Sequence, residues 1–453
     1  MNKNDNARAR ALSILEEWHR RGASLDLVVE NEMAKPFDDR RDSQLCRALV
    51  YGVARWRGYL DAVLARFSKH PLAKMKPLTR QALRIGLYQL LFMDRIPPSA
   101  AINELVKILK ARKQPRWLTG FVNGLLRRID REASSLPTPG QSSVSGFKNY
   151  ELCSHPKWLY ERWLSRYGKE RTAAICEANN REPDLAVRVT DVTPDEFLAK
   201  LLKAGIKAER GLYSEQAVIL PGYKGAVFDL PGYGEGLFVV QDQAAQLATA
   251  LMGKSLIEGR YLDGCAGLGG KTGQLAASLG RDTSLLAVEP DERRYKLLGT
   301  NLERLGLEGK VETFNGRIVD IEAAPPGFKG ILIDAPCSGL GVIRRHPDIR
   351  WNRREVDLKN YQSQQLDLLK DAARLLASSG VLVYLTCSTE PEENEEVVEK
   401  FLDGHPDFRM ENCRDYLPEP ARMLVDRRGF FHPLPDQGLD GFFGVRLVKI
   451  GSE

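Results

Sequence analysis

Three reactive side chains stand at the ends of two short apolar runs. Ile331–Ile333 leads into Asp334-Ala335-Pro336-Cys337-Ser338, and Val381–Leu385 leads into Thr386-Cys387-Ser388. A thiolate is the strongest common nucleophile near neutral pH and forms covalent intermediates where a direct reaction is too slow. Carbon 5 of cytosine poses such a problem, because it is too weakly nucleophilic to take a methyl group unaided. Sulfur adding at carbon 6 would make the ring enamine-like, and a carboxyl group near ring nitrogen 3, the role that suits Asp334, would stabilise the developing charge. A base must then remove the carbon 5 proton before the carbon–sulfur bond can break. Methylation of an exocyclic amine needs no such nucleophile, and it would show an acid or Asn followed by Pro-Pro and an aromatic residue. A strand-end cysteine is often a small buried hydrophobe, but two beside one carboxylate favour chemistry. The residues alone leave open which of Cys337 and Cys387 attacks.

A second cluster precedes the first. Tyr261–Leu262 leads into Asp263-Gly264-Cys265-Ala266-Gly267-Leu268-Gly269-Gly270-Lys271-Thr272. Glycines at this density allow a sharp turn and the close approach of a nucleotide-like ligand. The phase excludes a phosphate-binding P-loop, since Cys265 stands where that motif needs glycine. Glu289 closes the next apolar run, 26 residues after Asp263, near the ~20-residue offset at which an acid reaches ribose hydroxyls. Asn315 closes the third run, Val311–Phe314, and can contact a purine edge or cap a turn.

These residues need a scaffold that brings strand ends together. From 239 to 453, short apolar runs alternate with helical patterns near 291–305 and 355–377, which predicts a parallel sheet covered on both faces. In such a sheet ligands bind beyond the carboxyl ends of the strands, so Asp334, Cys337 and Cys387 converge on one crevice. Residues 1–132 show helical periodicity, for example Leu83, Leu87 and Leu90, and predict an all-α domain. The Pro/Ser/Gly-rich stretch 133–149 reads as a linker. Residues 150–238, with strand-like runs at Ala186–Val189 and Leu237–Val240, predict a small α+β module.

Lys plus Arg number 66 against 60 acids, a net charge of +6, which leans mildly toward a polyanionic partner. Between 52 and 84, Arg55, Arg57, Arg66, Lys69, Lys74, Lys76, Arg80 and Arg84 accompany a single acid, Asp61; this reads as a solvated helix face or an RNA-phosphate patch. The stretch Gly341–Trp351, with Arg344, Arg345, Arg350, His346 and Trp351, looks suited to phosphate contacts and base stacking. There His346 is either a candidate base or an ordering residue. The amino terminus lacks a secretory apolar core and no run approaches a membrane span, so a cytoplasmic protein is expected. Seven dispersed cysteines without C-x-x-C spacing favour free thiols, with no disulfide framework and no metal site.

Residues 334–351 (DAPCSGLGVIRRHPDIRW), 385–388 (LTCS), 391–402 (PEENEEVVEKFL) and the closing Asp440-Gly441-Phe442-Phe443 resemble the Sun/Fmu family of RNA cytosine-5 methyltransferases. Residues 83–106 (LRIGLYQLLFMDRIPPSAAINELV) and 121–129 (FVNGLLRRI) look like the NusB-like RNA-binding domain of one bacterial branch. The resemblance spans nearly the whole chain. It implies a multidomain protein: a NusB-like all-α domain, a small α+β RNA-binding module, and an α/β Rossmann-like class I methyltransferase domain. It further implies S-adenosylmethionine as cofactor, small-subunit ribosomal RNA as partner, no membrane, no metal, and a monomer. By the same resemblance Cys387 is the nucleophile, Cys337 assists proton removal or product release, Asp334 stabilises the ring nitrogen, and the cofactor contacts are Cys265, Ala266, Gly267, Leu268, Gly269, Gly270, Lys271, Glu289, Asn315 and Asp334. Relatives usually carry Ala-Pro at Gly267-Leu268 and Asp at Asn315. Loss of that proline frees a backbone angle, and Asn keeps an oxygen acceptor without the charge. These departures motivate a rival reading, a catalytically impaired assembly factor that keeps the methyltransferase fold.

Overall fold

The computed structural model describes residues 6–141, 144–253 and 256–451; Ser142 and Ser143 of the expected linker, and positions 1–5, 254–255 and 452–453 of the expected domains, lie outside the described residues. The chain forms two compact units, Met1–Glu182 with Ile343–Glu355, and Pro183–Val342 with Val356–Glu453. No helix among the described residues is long and apolar enough to cross a membrane.

The first unit is helical. It opens with α1 (Ala7–Arg21), α2 (Leu25–Met33), α3 (Arg40–Phe67), α4 (Pro77–Phe92), α5 (Pro98–Ala111) and α6 (Arg116–Arg131). Local chemistry sets several of the ends. Asn6 caps α1 by accepting from the Ala9 N–H, and Gly22 closes it at φ 63°, where a side chain would be strained. Pro77 and Pro98 occupy first-turn positions of α4 and α5, where a missing N–H costs nothing. Leu49, Val53, Leu60, Val63, Leu64 and Phe67 form the buried face of α3 and pack in one core with α1, α4, α5 and α6. The 133–149 stretch is not a loose tether where it is described: Val144 and Phe147 pack against that core, and the Tyr59 hydroxyl donates to the Pro137 carbonyl at 2.8 Å. Packing instead separates the units after Glu182, so helix Lys157–Asn180 belongs with the helices rather than with the strands that follow.

Much of the basic cluster between 52 and 84 is engaged inside this unit. Arg84 is 2% exposed and pairs with both oxygens of Asp61, at 2.7 and 2.6 Å. Arg55 is buried and donates to the Arg344 carbonyl at 2.7 Å. Arg57 lies over the rings of Trp18 and Trp351. Lys69, Lys74 and Lys76 face solvent.

The segment Ile343–Glu355 also belongs to this unit, and two of the side chains expected to contact phosphate, Arg344 and Arg350, are buried within it. Arg350 is 0% exposed and donates to the carbonyls of Ser154 and Asn179, both at 3.0 Å, and to Asn180 Oδ1 at 2.7 Å. The Trp351 indole donates to the Ala54 carbonyl at 2.7 Å. Asp348 Oδ2 accepts from the Leu25 N–H at 3.0 Å at the start of α2. His346 Nδ1 lies 2.5 Å from Asp26 Oδ2, and the other Asp26 oxygen accepts from Tyr51. The Asp26 carboxylate thus orders the His346 ring within the helical unit.

The second unit contains two sheets. The smaller joins β1 (Leu185–Val189), β2 (Glu209–Arg210), β3 (Ala217–Leu220) and β4 (Phe238–Val240) in the order β2-β3-β1-β4, with every pair antiparallel. Val187 and Val189 pack with Phe197 and Leu201 of helix Pro194–Lys203. Arg188 points to the other face, as strand alternation requires. It is buried, with Nε donating to Gln241 Oε1 at 2.7 Å and Nη2 reaching the Gly270 carbonyl at 3.4 Å.

The larger sheet contains β5 (Leu256–Asp263), β6 (Leu279–Val288), β7 (Val311–Phe314), β8 (Phe328–Asp334), β9 (Leu376–Thr386), β10 (Phe408–Glu411) and β11 (Phe443–Lys449), in the order β10-β11-β9-β8-β5-β6-β7. Strands β9 to β7 run parallel; β11 and β10 are antiparallel. Leu332, Val383 and Leu385 enter one apolar layer and Ile331, Ile333, Leu382 and Tyr384 the other, which explains the uninterrupted apolar runs. From β5 the chain moves outward to β7, then returns to place β8 on the opposite side of β5. The carboxyl ends of β5 and β8 therefore flank a topological switch point, where such sheets bind ligands.

Candidate active site

The glycine-rich turn is built on Asp263, which is 0% exposed at the end of β5. Its Oδ2 accepts from Thr272 Oγ1 at 2.7 Å and its Oδ1 from the Cys265 N–H at 3.3 Å, so one carboxylate closes the turn from both sides. The Ala266 N–H donates to the Val288 carbonyl and the Gly269 N–H to the Ala266 carbonyl, both at 2.9 Å. Gly267 and Gly269 adopt φ of 57° and 88°, and a Cβ on Gly269 would stand 2.8 Å from Leu298 Cδ1. Asn301 Nδ2 holds the Leu268 carbonyl at 2.9 Å. Hydrogen bonds thus fix the turn. The Cys265 thiol is pushed well above its ordinary range by burial, then by Asp263 and other nearby acids; it serves the turn through its backbone.

Burial, opposed by the Thr272 hydrogen bond, lifts the Asp263 pKa from 3.8 to about 6. A carboxyl group raised on folding contributes stability that is full below its unfolded pKa and is lost as pH rises through the folded value. The stability of the wild type relative to Asp263→Asn should therefore fall by up to about 3 kcal/mol between about pH 4 and pH 7, as read by urea unfolding at fixed pH. A flat difference would mean that Asp263 ionises normally.

Glu289 directly follows β6, 4% exposed, with Oε1 accepting from the Asp291 N–H at 2.9 Å. Asn315, just past β7, donates from Nδ2 to the Glu289 carbonyl at 2.9 Å, which leaves its Oδ1 as acceptor for a ligand amino group. Across the switch point, Lys271 Nζ meets Asp334 Oδ2 at 2.6 Å and lies over the Phe442 ring, 5.3 Å from its centroid. Burial would pull the Lys271 pKa down, but Asp334, with help from Cys387 and Asp263, raises it; the ammonium is held charged.

The two cysteines meet. Asp334 pairs in register with Leu385, so the turns that follow β8 and β9 lie side by side. Cys337 Sγ and Cys387 Sγ are 3.1 Å apart. The hydrogen bond with Cys387, then burial, then the charges of Cys387 and Glu393 push the Cys337 thiol well above its ordinary range. Of the pair, Cys337 is held as the thiol. The Gly341 N–H donates to the Cys387 carbonyl at 2.9 Å, and the Gly441 N–H donates to the Gly341 carbonyl at 2.8 Å. A Cβ on Gly341 would stand 2.0 Å from the Gly441 oxygen and 2.8 Å from the Cys387 oxygen. Backbone cannot yield as a side chain would. Gly341→Ala should therefore displace the Cys387 turn and lower kcat roughly 10²-fold, measured with RNA in excess; an unchanged kcat would show that the turn tolerates displacement.

Family models match the chain over residues 253–448 (16S rRNA methyltransferase RsmB/F), 5–131 (NusB family) and 155–224 (RsmF/B-like, ferredoxin-like domain). Ribosomal RNA small subunit methyltransferase B of Escherichia coli is 35% identical, with 99% of this chain and 100% of that protein covered. The chain belongs to the RsmB/F family of 16S rRNA methyltransferases. The Pseudomonas putida protein of the same name is 36% identical over 91% of this chain and 92% of its own. A solved methyltransferase homolog from Pyrococcus horikoshii aligns with TM-score 0.56 and 26% identity, covering 66% of this chain and 97% of that one. The expected NusB-like, small α+β and methyltransferase domains are thus all present in this RsmB/F-family chain, the middle one matching a ferredoxin-like model.

Sequence reasoning brought Cys265–Lys271, Glu289, Asn315, Asp334, Cys337 and Cys387 to the strand ends, where the structure places them. It missed the Lys271–Asp334 pair and Glu393, which accepts from Ser338 and Ser388 beneath the two cysteine turns. The only local signal for Glu393 was the acidic stretch after LTCS, which reads as a solvated helix start.

Proposed function

We propose that this chain methylates carbon 5 of a cytosine in 16S rRNA through a covalent adduct with Cys387, with S-adenosylmethionine as methyl donor. The observation that carries the reading is the 3.1 Å approach of Cys337 and Cys387 beside the Lys271–Asp334 pair. An enzyme that methylates an exocyclic nitrogen needs no paired thiols at this point. S-adenosylmethionine supplies an electrophilic methyl group on a sulfonium. Cys265–Lys271 offer it a glycine-rich backbone, Glu289 a carboxylate for ribose hydroxyls, and Asn315 an acceptor for the adenine amino group. The hydrogen-bonded turn and the intact strand-end acids favour a working cofactor site over the impaired assembly factor.

In this reading Cys387 adds as thiolate to carbon 6. Asp334 stabilises charge at ring nitrogen 3. After carbon 5 has taken the methyl group and lost its proton to a base, the carbon–sulfur bond breaks. Cys337, held as a thiol, donates a hydrogen bond to the departing Cys387 sulfur.

Bisulfite sequencing of small-subunit rRNA from a deletion strain tests the product. One 5-methylcytosine should disappear and return with the gene; a full complement in the deletion strain would sink the proposal. Calorimetric titration with S-adenosylmethionine separates the rival, since absence of binding at millimolar cofactor favours the impaired factor.

A further inference from the structure

Glu393 is a buried carboxylate, 0% exposed, and among the described residues none of the groups that donate to it carries a charge. Its Oε2 accepts from Ser338 Oγ and from Ser388 Oγ, both at 2.5 Å. Its Oε1 accepts from the Ser338 N–H at 2.7 Å and from Gln365 Nε2 at 3.2 Å. Gln365 Nε2 also holds the Pro336 carbonyl at 3.0 Å. The network therefore grips the residues on both sides of Cys337 and the residue after Cys387. Taking an uncompensated charge out of water costs several kcal/mol, so a carboxylate with four donors, three of them on two functional turns, is poorly accounted for by stability alone. Strand pairing brings β8 and β9 together only as far as Asp334 and Leu385. Beyond that, the turns are joined by the Gly341 N–H on the Cys387 carbonyl at 2.9 Å and by the Ser338 and Ser388 hydroxyls, 3.2 Å apart and both bound to Glu393.

We propose that Glu393 is a positioning residue that holds the Cys337 and Cys387 turns at working distance by binding, through one oxygen, the hydroxyls of the two serines that follow them. The consequence for catalysis rests on the proposed function; the consequence for sulfur geometry does not. Burial lifts the Glu393 pKa against the pull of its serine donors, and its charge contributes to keeping Cys337 a thiol.

The test uses the full-length protein and two readouts. Diamide takes two electrons and two protons from a pair of close thiols, leaving a disulfide and a hydrazine, and peptide mass spectrometry identifies the Cys337–Cys387 cross-link. Glu393→Gln keeps the size but turns one of the two acceptor oxygens into an NH2 donor, which cannot accept from either the two serine hydroxyls or the Ser338 N–H and Gln365, so cross-linking should slow about 10-fold and kcat should fall about 10²-fold, with KM for S-adenosylmethionine changed by less than about two-fold. Ser388→Ala, a milder change that protects against misfolding of the first variant, should act in the same direction. The combined variant should be no worse than Glu393→Gln alone, because both break one link. An unchanged cross-linking rate in both variants, or additive losses, would overturn the proposal. Slower cross-linking in a protein whose RNA product lacks 5-methylcytosine would support the positioning role while defeating the functional reading.

Discussion

Cys387→Ala should abolish methyl transfer, by roughly 10⁴-fold or more, and should form no covalent adduct with RNA that carries 5-fluorocytosine. Cys337→Ala should do the opposite with the adduct and accumulate a stalled protein–RNA species. The asymmetry follows from what surrounds each sulfur. Its hydrogen bond to Cys387, burial and the charges of Cys387 and Glu393 hold Cys337 as the thiol. Removing Cys337 takes away the thiol 3.1 Å from the departing sulfur, so release slows while attack persists. Denaturing gel shifts with labelled RNA give the readout. Trapping by the Cys387 variant, or a Cys337 variant that turns over normally, would reverse the assignment.

The second large effect concerns stability. Arg350→Ala should destabilise the helical unit by roughly 3–5 kcal/mol, since it strips hydrogen bonds from the buried Ser154 and Asn179 carbonyls. The guanidinium is fully buried, yet its partners are the Ser154 and Asn179 carbonyls and the Asn180 side chain. Burial, with the repulsion of Arg55, brings its pKa down to about 9. It stays protonated at neutral pH, and the carbonyl dipoles take the place of a counter-ion. Arg350→Lys should recover little, because an ammonium cannot reproduce the planar fork. Denaturant unfolding followed by the signal of the first unit's tryptophans reads the loss. A change under about 1 kcal/mol would mean that the segment is not held by this residue.

Arg350 also shows where the sequence misleads. In the chain it sits among Arg344, Arg345, His346 and Trp351, a composition that elsewhere binds nucleic acid. Nothing local says that the side chain is buried, because the acceptors come from Ser154, Asn179 and Asn180. The same holds for Arg84 and Arg55 in the basic stretch. Charge composition reports what a side chain carries, whereas burial depends on partners distant in sequence. Strands β10 and β11 escaped for a related reason: an antiparallel edge is defined by its pairing, and four residues such as Phe408–Glu411 have too short a period to announce it.

What the sequence determined by itself was everything encoded within a short window. Helical periodicity marked the first domain, apolar runs ending in Asp263, Glu289, Asp334 and Thr386 marked a parallel sheet, and the rule that ligands gather at strand ends placed both cysteines in one crevice. Tertiary structure alone decided the 3.1 Å sulfur separation, the Lys271–Asp334 pair and the carboxylate beneath the two turns. These depend on Gln365, Glu393 and Gly341 meeting across the sheet, and a hydrogen bond selects partners by position in space, which a local pattern does not contain.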